Sequence, residues 1–336
     1  MTLILALETS CDDTCAAVVT GDGEMRSNVI SSQGIHDEYG GVVPEIASRH
    51  HLELVNAVVD DALRRADATL DDIDLVAVTQ GPGLVGALLV GVATAKGLAA
   101  SRGLPLAAVD HLQGHVAANF LRVAGAAGPI LEPPFVCLIA SGGHTLLARV
   151  EDHDGFAVLG RTLDDAAGEA FDKGARLLGL PFPGGPALER LARDGDAQAF
   201  AFPVARNLAG LDFSFAGVKT SLLYKVRELG ADGARERAAD LAASFQHAVV
   251  EALAARCEQA LAQTGLTRLA VGGGVAANGP LRARLAALGA TVGIPPRELC
   301  TDNAAMIGSA ARFVAAQPFA AYLGLDAYAS GERALA

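Results

Sequence analysis

Tryptophan is absent from this 336-residue chain, and aromatic residues make up only 5% of it. Its apolar half is therefore mostly alanine, valine and leucine. Charge is also sparse, at 19%, which together with 51% apolar residues excludes wholesale disorder. Basic residues are outnumbered, 26 Lys and Arg against 38 Asp and Glu, leaving a net charge of −12. Such a chain is no general nucleic-acid coat, and any RNA contact needs a local basic patch. Cysteine is rare and odd in number (Cys11, Cys15, Cys137, Cys257, Cys300), and no pair has C-x-x-C spacing. A disulfide framework and a cysteine-rich zinc knuckle are both disfavoured, and reduced thiols in a cytosol are expected. No basic region precedes Leu3-Ile4-Leu5-Ala6-Leu7 and no Arg/Ser-rich transit segment is seen, so the expectation is a cytoplasmic protein. The most apolar stretch, Leu84 to Ala95, is shorter than the ~20 residues of a membrane span and ends at Lys96, so it is expected to be a buried helix. The 38 glycines cluster in short loops without a period, which excludes collagen-like and low-complexity readings.

What is present is an order of elements that occurs twice. Leu3–Val19 reads strand, polar turn at Cys11-Asp12-Asp13-Thr14, strand; Phe135–Val150 repeats this around Ser141-Gly142-Gly143-His144. Each is followed later by a strand, a glycine-rich turn and a helix: LVAVTQ with Gly81-Pro82-Gly83, then RLAV with Gly272-Gly273-Gly274 and a helix from about Asn278. At ~150 residues per domain the length suits two domains. The repetition predicts a duplicated α/β domain with a cleft between the copies. Residues 1–125 and 135–300 form the two lobes in this reading, joined by a linker at Val123–Pro134. A last helix from about Asn303 to Ala316, within segment 301–318, is expected to pack back on the first lobe. Helical spacing is clear at Val55, Val58, Val59, Ala62 and Ala66, and again between Arg235 and Gln263.

Four features carry chemistry. In His111-Leu-Gln-Gly-His115 two imidazoles sit at i and i+4, on one helix face, where they can converge on a metal. The glutamate of a zincin H-E-x-x-H is missing, because position 112 is Leu. Asp302 is the best third ligand, although an N-cap role would account for it equally. Two histidines and a carboxylate suit Fe(II) or Zn(II). The loops at Gly81-Pro82-Gly83, Ser141-Gly142-Gly143, Gly184-Gly185-Pro186 and Gly272-Gly273-Gly274 could bring backbone N–H groups to phosphate or ribose oxygens. Asp164–Gly174 is read as one amphipathic helix with Asp165, Glu169 and Asp172 near one face, either a solvated acidic face or a ribose-binding one. In the first hairpin turn, Asp12 and Asp13 could orient a water or accept a proton, or serve as ordinary turn residues.

Ten segments together resemble one family: ETSCDDT (8–14), GGVVPEIASR (40–49), GPGLVGALLVG (81–91), HLQGH (111–115), SGGHT (141–145), DDAAGEAFDK (164–173), PFPGGP (181–186), DFSFAGVKT (212–220), GGGVAAN (272–278) and CTDNAAMI (300–307). The chain thereby resembles the universal tRNA N6-adenosine threonylcarbamoyltransferases, over residues 1 to about 318. The resemblance implies an actin-like α/β fold of two duplicated RNase H-like lobes. It implies transfer of the threonylcarbamoyl group from threonylcarbamoyl-adenylate to the exocyclic amine of the adenosine 3′ of the anticodon, in tRNAs reading codons that start with A, with release of AMP. By the same resemblance the metal ligands fall on His111, His115 and Asp302, for one divalent ion, Fe(II) ahead of Zn(II). Adenylate-binding positions fall on Ile139, Ala140, Ser141, Gly142, Gly143, Asp172, Gly185 and Asn278, and Asp12 is the position linked to the chemistry. Gln113 departs from the family, which often has Glu there. The implied partners are tRNA, a TsaB-like inert paralogue and a TsaE-like P-loop ATPase, with no membrane. Arg49, His50, His51, Arg64, Arg65, Lys219, Lys225 and Arg227 are the candidate basic surface. The rival readings are an ATP-dependent kinase or chaperone of the same fold, a metalloprotease and an inert scaffold paralogue.

Overall fold

In the computed structural model, residues 1–125, 131–205 and 208–329 are described. The expected linker at Val123–Pro134 therefore falls partly outside the described residues. The chain divides into two compact units: residues 1–132, 152–155 and 302–336, and residues 133–151 and 156–301.

The first unit is built on strands β1 (Leu3–Glu8), β2 (Asp13–Thr20) and β3 (Met25–Ser32), which form an antiparallel meander. Helix α1 (Pro44–Arg65) follows, with Pro44 in its first turn, where a missing N–H costs nothing. Strand β4 (Leu75–Gly81) then runs parallel to β1, helix α2 (Val85–Arg102) ends on left-handed Gly103, and β5 (Leu106–Asp110) leads directly into α3 (His111–Ala117). The sheet order is β3-β2-β1-β4-β5. The central strands read as unbroken apolar runs, as strands covered on both faces do. Helices α1 and α2 bury Val55, Val58, Val59, Val92 and Ala95 in the same core as Leu5, Leu7, Val76 and Val78.

The second unit repeats this plan. Strands β6 (Phe135–Ala140), β7 (Thr145–Asp152) and β8 (Gly155–Arg161) form the meander. Helices α4 (Ala167–Leu177), α5 (Gly184–Ala192), α6 (Ala216–Glu236) and α7 (Ala238–Thr264) lead to β9 (Arg268–Gly272), parallel to β6, then α8 (Gly279–Ala286) and β10 (Thr291–Gly293). The order β8-β7-β6-β9-β10 matches that of the first sheet strand for strand. Duplication of one antiparallel-then-parallel sheet is thus explicit in the connectivity. Cys257 and Cys300 belong to this core, and all five cysteines are free thiols.

The last helix, α9 (Ala304–Ala311), packs against α3, β1 and β2 in the first unit. It is shorter than the expected Asn303–Ala316, because the chain turns at Arg312 so that Gln317 can exchange two backbone hydrogen bonds with Leu106 of β5. Two other expectations change. Helix α4 starts at Ala167, so Asp164 and Asp165 precede it: Asp164 accepts from the N–H groups of Phe215 and Ala216 at the start of α6, and Asp165 is taken by Lys173 and Lys219. The apolar stretch at Leu84–Ala95 extends into the 18-residue α2, long and apolar enough by length and composition to cross a membrane; one face of it is buried in the core and Val85 and Leu89 are exposed.

Glycine at position 114 sets the spacing of α3 and α9. A Cβ there would lie 2.7 Å from Ile307 Cδ1 and 3.2 Å from Met306 Cγ. Gly114→Ala is expected to cost about 1–3 kcal/mol through overpacking. Urea titration checks this, and the double variant with Ile307→Val should recover part of the loss.

Candidate functional site

Helix α3 places His111 and His115 one turn apart, and every residue of it is buried. Its N-cap is Asp110, whose Oδ1 accepts from Leu112 N at 2.8 Å and Gln113 N at 3.1 Å. Asp302 stands immediately before α9, where Asn303 rather than Asp302 is the cap, accepting from Met306 N at 2.9 Å. The capping role that would have explained Asp302 is therefore filled by its neighbour. Asp302 Oδ1 lies 3.5 Å from His111 Nε2 and 3.3 Å from His115 Nε2, and one ligand atom from each of the three residues falls within 4.8 Å of the others.

A buried carboxylate holds His111 from behind. Glu8, at the end of β1 and inaccessible to solvent, places Oε2 at 3.0 Å from His111 Nδ1 and also accepts from Thr79 Oγ1 at 2.5 Å; its Oε1 accepts from Ser10 N. A carboxylate can only accept, so Nδ1 keeps its proton, and Nε2, turned toward Asp302, is the nitrogen that gains or loses one. Burial alone would push His111 down, but Asp302 and Glu8 outweigh it and raise it to about 9. Burial would raise Glu8, but His111 holds it below the usual glutamate value. His115 is fully buried, and neither of its ring nitrogens has a hydrogen-bond partner. A buried imidazole left with two unspent nitrogens beside a carboxylate and a second imidazole is the donor set that a divalent cation completes. The residues fit such an ion.

The first hairpin turn lies in the same unit. Asp12, the expected catalytic residue, is half-buried in it. Its neighbour Asp13 opens β2 opposite Ser32, and burial, with Asp302, Asp12 and Glu8 adding to it, raises its carboxyl to about 7 against the hydrogen bond from Ser32. His51, one of the candidate RNA contacts, is instead buried: Nε2 donates to Cys11 O at 2.9 Å, Thr14 Oγ1 lies 2.8 Å from Nδ1, and burial pushes its pKa down. It is a neutral brace for the turn. Several other basic candidates are engaged locally: Arg49 with Glu45, Arg64 and Arg65 with Asp61, Lys219 with Asp165 and Lys225 with Glu228. Gln113 donates to His153 O at 2.8 Å and takes no part in the ligand set.

The second unit holds a cavity of about 260 Å³ lined by Gly142, Asp172, Gly185 and Asn278, and also by Phe171, Glu189, Gly274 and Thr301. Ile139 and Ala140 are fully buried in β6. Ser141 and Gly143 flank Gly142 in the β6–β7 turn, where Ser141 N donates to His144 O at 2.8 Å. A Cβ on Gly142 or Gly143 would meet nothing within 4 Å, so this turn is open on its outer side. Asp172 Oδ1 accepts from Gly184 N at 2.8 Å and Gly185 N at 3.3 Å; burial nevertheless raises its carboxyl above the usual value. Asn278 is differently occupied than its expected grip on a ligand suggests. Its Oδ1 caps α8 through Leu281 N, and its Nδ2 donates to Glu189 and Gln246. Glu189, Phe171 and Glu8 were not singled out by sequence. Glu189 could have been found, since it lies one helical turn after Gly185.

Comparison with known proteins narrows the class and then the family. The chain is similar in fold to T. kodakarensis HypF (TM-score 0.61, 16% identity, 92% of this chain and 47% of that one). It is also similar to the Acidaminococcus fermentans (R)-2-hydroxyglutaryl-CoA dehydratase component A (TM-score 0.54, 15% identity, 94% and 98%). Both are likenesses of fold alone, and they place the two repeated sheets in the actin-like ATPase fold. Residues 24–309 match the family model of TsaD, tRNA N6-adenosine threonylcarbamoyltransferase. Proteins of that name from Clostridium perfringens and Clostridium botulinum are 52% and 51% identical to the chain, over 93% and 92% of it and 92% of each relative. The chain belongs to the TsaD family of acyltransferases.

Stability of the metal-free protein should fall as pH rises. His111 is raised from 6.5 to about 9, so its contribution is complete below 6.5 and is lost on passing through 9. Asp13, raised from 3.8 to about 7, acts in the same direction over the interval below. Thermal melting of chelator-treated protein between pH 6.5 and 9 should show this decline, and His111→Ala should flatten it. An unchanged slope in the variant would contradict the assignment.

Proposed function

We propose that this protein transfers the threonylcarbamoyl group of threonylcarbamoyl-adenylate to the exocyclic amine of the adenosine 3′ of the anticodon, in tRNAs that read codons beginning with A. The observation that carries this reading, beside family membership, is the buried trio of His111, His115 and Asp302 with Glu8 behind it. A kinase or chaperone on the same fold gives this trio no task, a metalloprotease would lack a glutamate base at position 112, and an inert paralogue would not be expected to retain it.

Held by His111, His115 and Asp302, a divalent cation supplies a positive charge for oxygens of the threonylcarbamoyl group. Two histidines and one carboxylate suit iron(II) or zinc(II), and the family resemblance puts iron(II) first. Glu8 keeps the His111 proton on Nδ1. In the second unit, the Gly142 and Gly143 amides at the end of β6 serve the adenylate phosphate, and Asp172, Gly185 and Asn278, which line the cavity, serve the ribose and base. The adenine nitrogen attacks the carbamoyl carbon, that carbon's bond to the phosphate oxygen breaks, and AMP leaves. The amine proton passes to Asp12, with Asp13, held near neutrality, as the adjoining acceptor. The anticodon loop is already single-stranded, so little unstacking opposes access to the base. Because the chain is acidic, a TsaB-like paralogue and a TsaE-like ATPase are the proposed partners that complete the tRNA-binding surface in a cytoplasmic assembly.

The test is nucleoside mass spectrometry of unmodified tRNA incubated with this protein, those partners and threonylcarbamoyl-adenylate. Threonylcarbamoyladenosine should form with the unaltered chain. His115→Ala should lower its rate by at least ~100-fold, the upper range for loss of a group supporting the metal. Asp12→Asn and Asp13→Asn, run in parallel, identify the proton acceptor as the variant with the larger fall, expected to be ~10²–10⁴-fold. ATP turnover without modified nucleoside would favour the kinase-like reading.

A further inference from the structure

Residues 318–328 are fastened to the metal-site unit by specific contacts. Tyr322 is fully buried in the core of that unit. Lys96 Nζ donates to Leu323 O at 3.0 Å, Gln80 Nε2 donates to Asp326 O at 2.7 Å, and Tyr328 N donates to Gln80 O at 3.2 Å. These contacts seat Tyr328 on Gly81, where a Cβ would lie 2.4 Å from Tyr328 O and 2.9 Å from its ring. The phenol then reaches past Gly81, its oxygen 2.9 Å from Gly81 O, and donates at 2.5 Å to Asp110 Oδ2.

Asp110 is the residue whose other oxygen caps α3. We infer that Tyr328 is a positioning residue for the metal site: its hydroxyl fixes the Asp110 carboxylate, and the carboxylate fixes the first turn of the helix that carries His111 and His115. A seven-residue helix cannot persist on propensity, so its start is set by its cap and its packing. A carboxylate with one oxygen on two backbone N–H groups and the other on a phenol cannot rotate without breaking both sets of bonds. The cap's two oxygens thus link the C-terminal strap to the helix that carries the imidazoles. This inference rests on the metal reading above.

The experiment is a titration of cobalt(II) into chelator-treated full-length protein, followed by its d–d absorption, alongside thermal melting. Tyr328→Phe keeps the ring on Gly81 and removes only the hydroxyl. It should weaken cobalt binding roughly three- to tenfold, less than the 10–100-fold typical of groups bonded directly to a metal ligand, and should alter the band shape. Asp110→Ser retains a cap but cannot reach the phenol. In that background Tyr328→Phe should have no further effect. Unchanged cobalt affinity and spectrum in Tyr328→Phe, with or without a shift in melting, overturns the role of the strap, as does an additive double variant. Unaltered protein that gives no cobalt spectrum, or gives the same one after His111→Ala, overturns the metal reading and this inference with it.

Discussion

A glutamate with no access to water is the constraint around which the first unit is arranged. Removing a carboxylate from solvent costs several kcal/mol unless hydrogen bonds and a countercharge replace the water. Glu8 obtains them from Thr79 on the neighbouring parallel strand, from the backbone of Ser10 in its own hairpin turn and from His111 at the head of α3. Three elements are thus pinned to one side chain. The pinning fixes which nitrogen of His111 bears the proton, so satisfaction of a buried charge and preparation of a metal ligand are the same event.

The two halves show how one architecture is put to two uses. Their sheets have the same order and the same mixture of antiparallel and parallel pairings. In the first, the residues beyond the strand ends converge on imidazole and carboxylate donors; in the second, they are glycines and short polar groups around a cavity. The strands supply the scaffold, and the loops and following helices supply the chemistry. This division is what allows a duplicated fold to diverge without disturbing its cores.

Much of this was legible in the residues. The repeated hairpins appeared because β1 and β6 are continuous apolar runs broken by polar turns, a pattern local to each segment. The histidine pair was legible because helical spacing alone puts both rings on one face. Glu8 was not, since nothing local distinguishes a buried carboxylate at a strand end from a turn residue; its partners come from positions 79 and 111. Asp164 and Asp165 were misplaced onto α4 for a related reason. Their partners, the start of α6 and Lys219, lie some fifty residues further on. His51 looked like a surface cation because its neighbours Arg49 and His50 are hydrophilic, whereas helical phase turns it inward beside Val55. Asn278 was recognised as special, but its partners Glu189 and Gln246 come from two other helices.

The position of α9 has a consequence for synthesis. This helix covers β1 and β2, the first strands to leave the ribosome, yet it is made only after the whole second unit. At ~5–20 residues per second, the roughly 200 residues from Asp110 to Ala311 take on the order of 10–40 s to translate. During that interval the nascent first sheet has one apolar face without its own cover, and His111 and His115 are without Asp302. The chain therefore completes its core and its ligand set together, at the end of translation, and a ribosome-bound fragment is the form most exposed to chaperones and to aggregation.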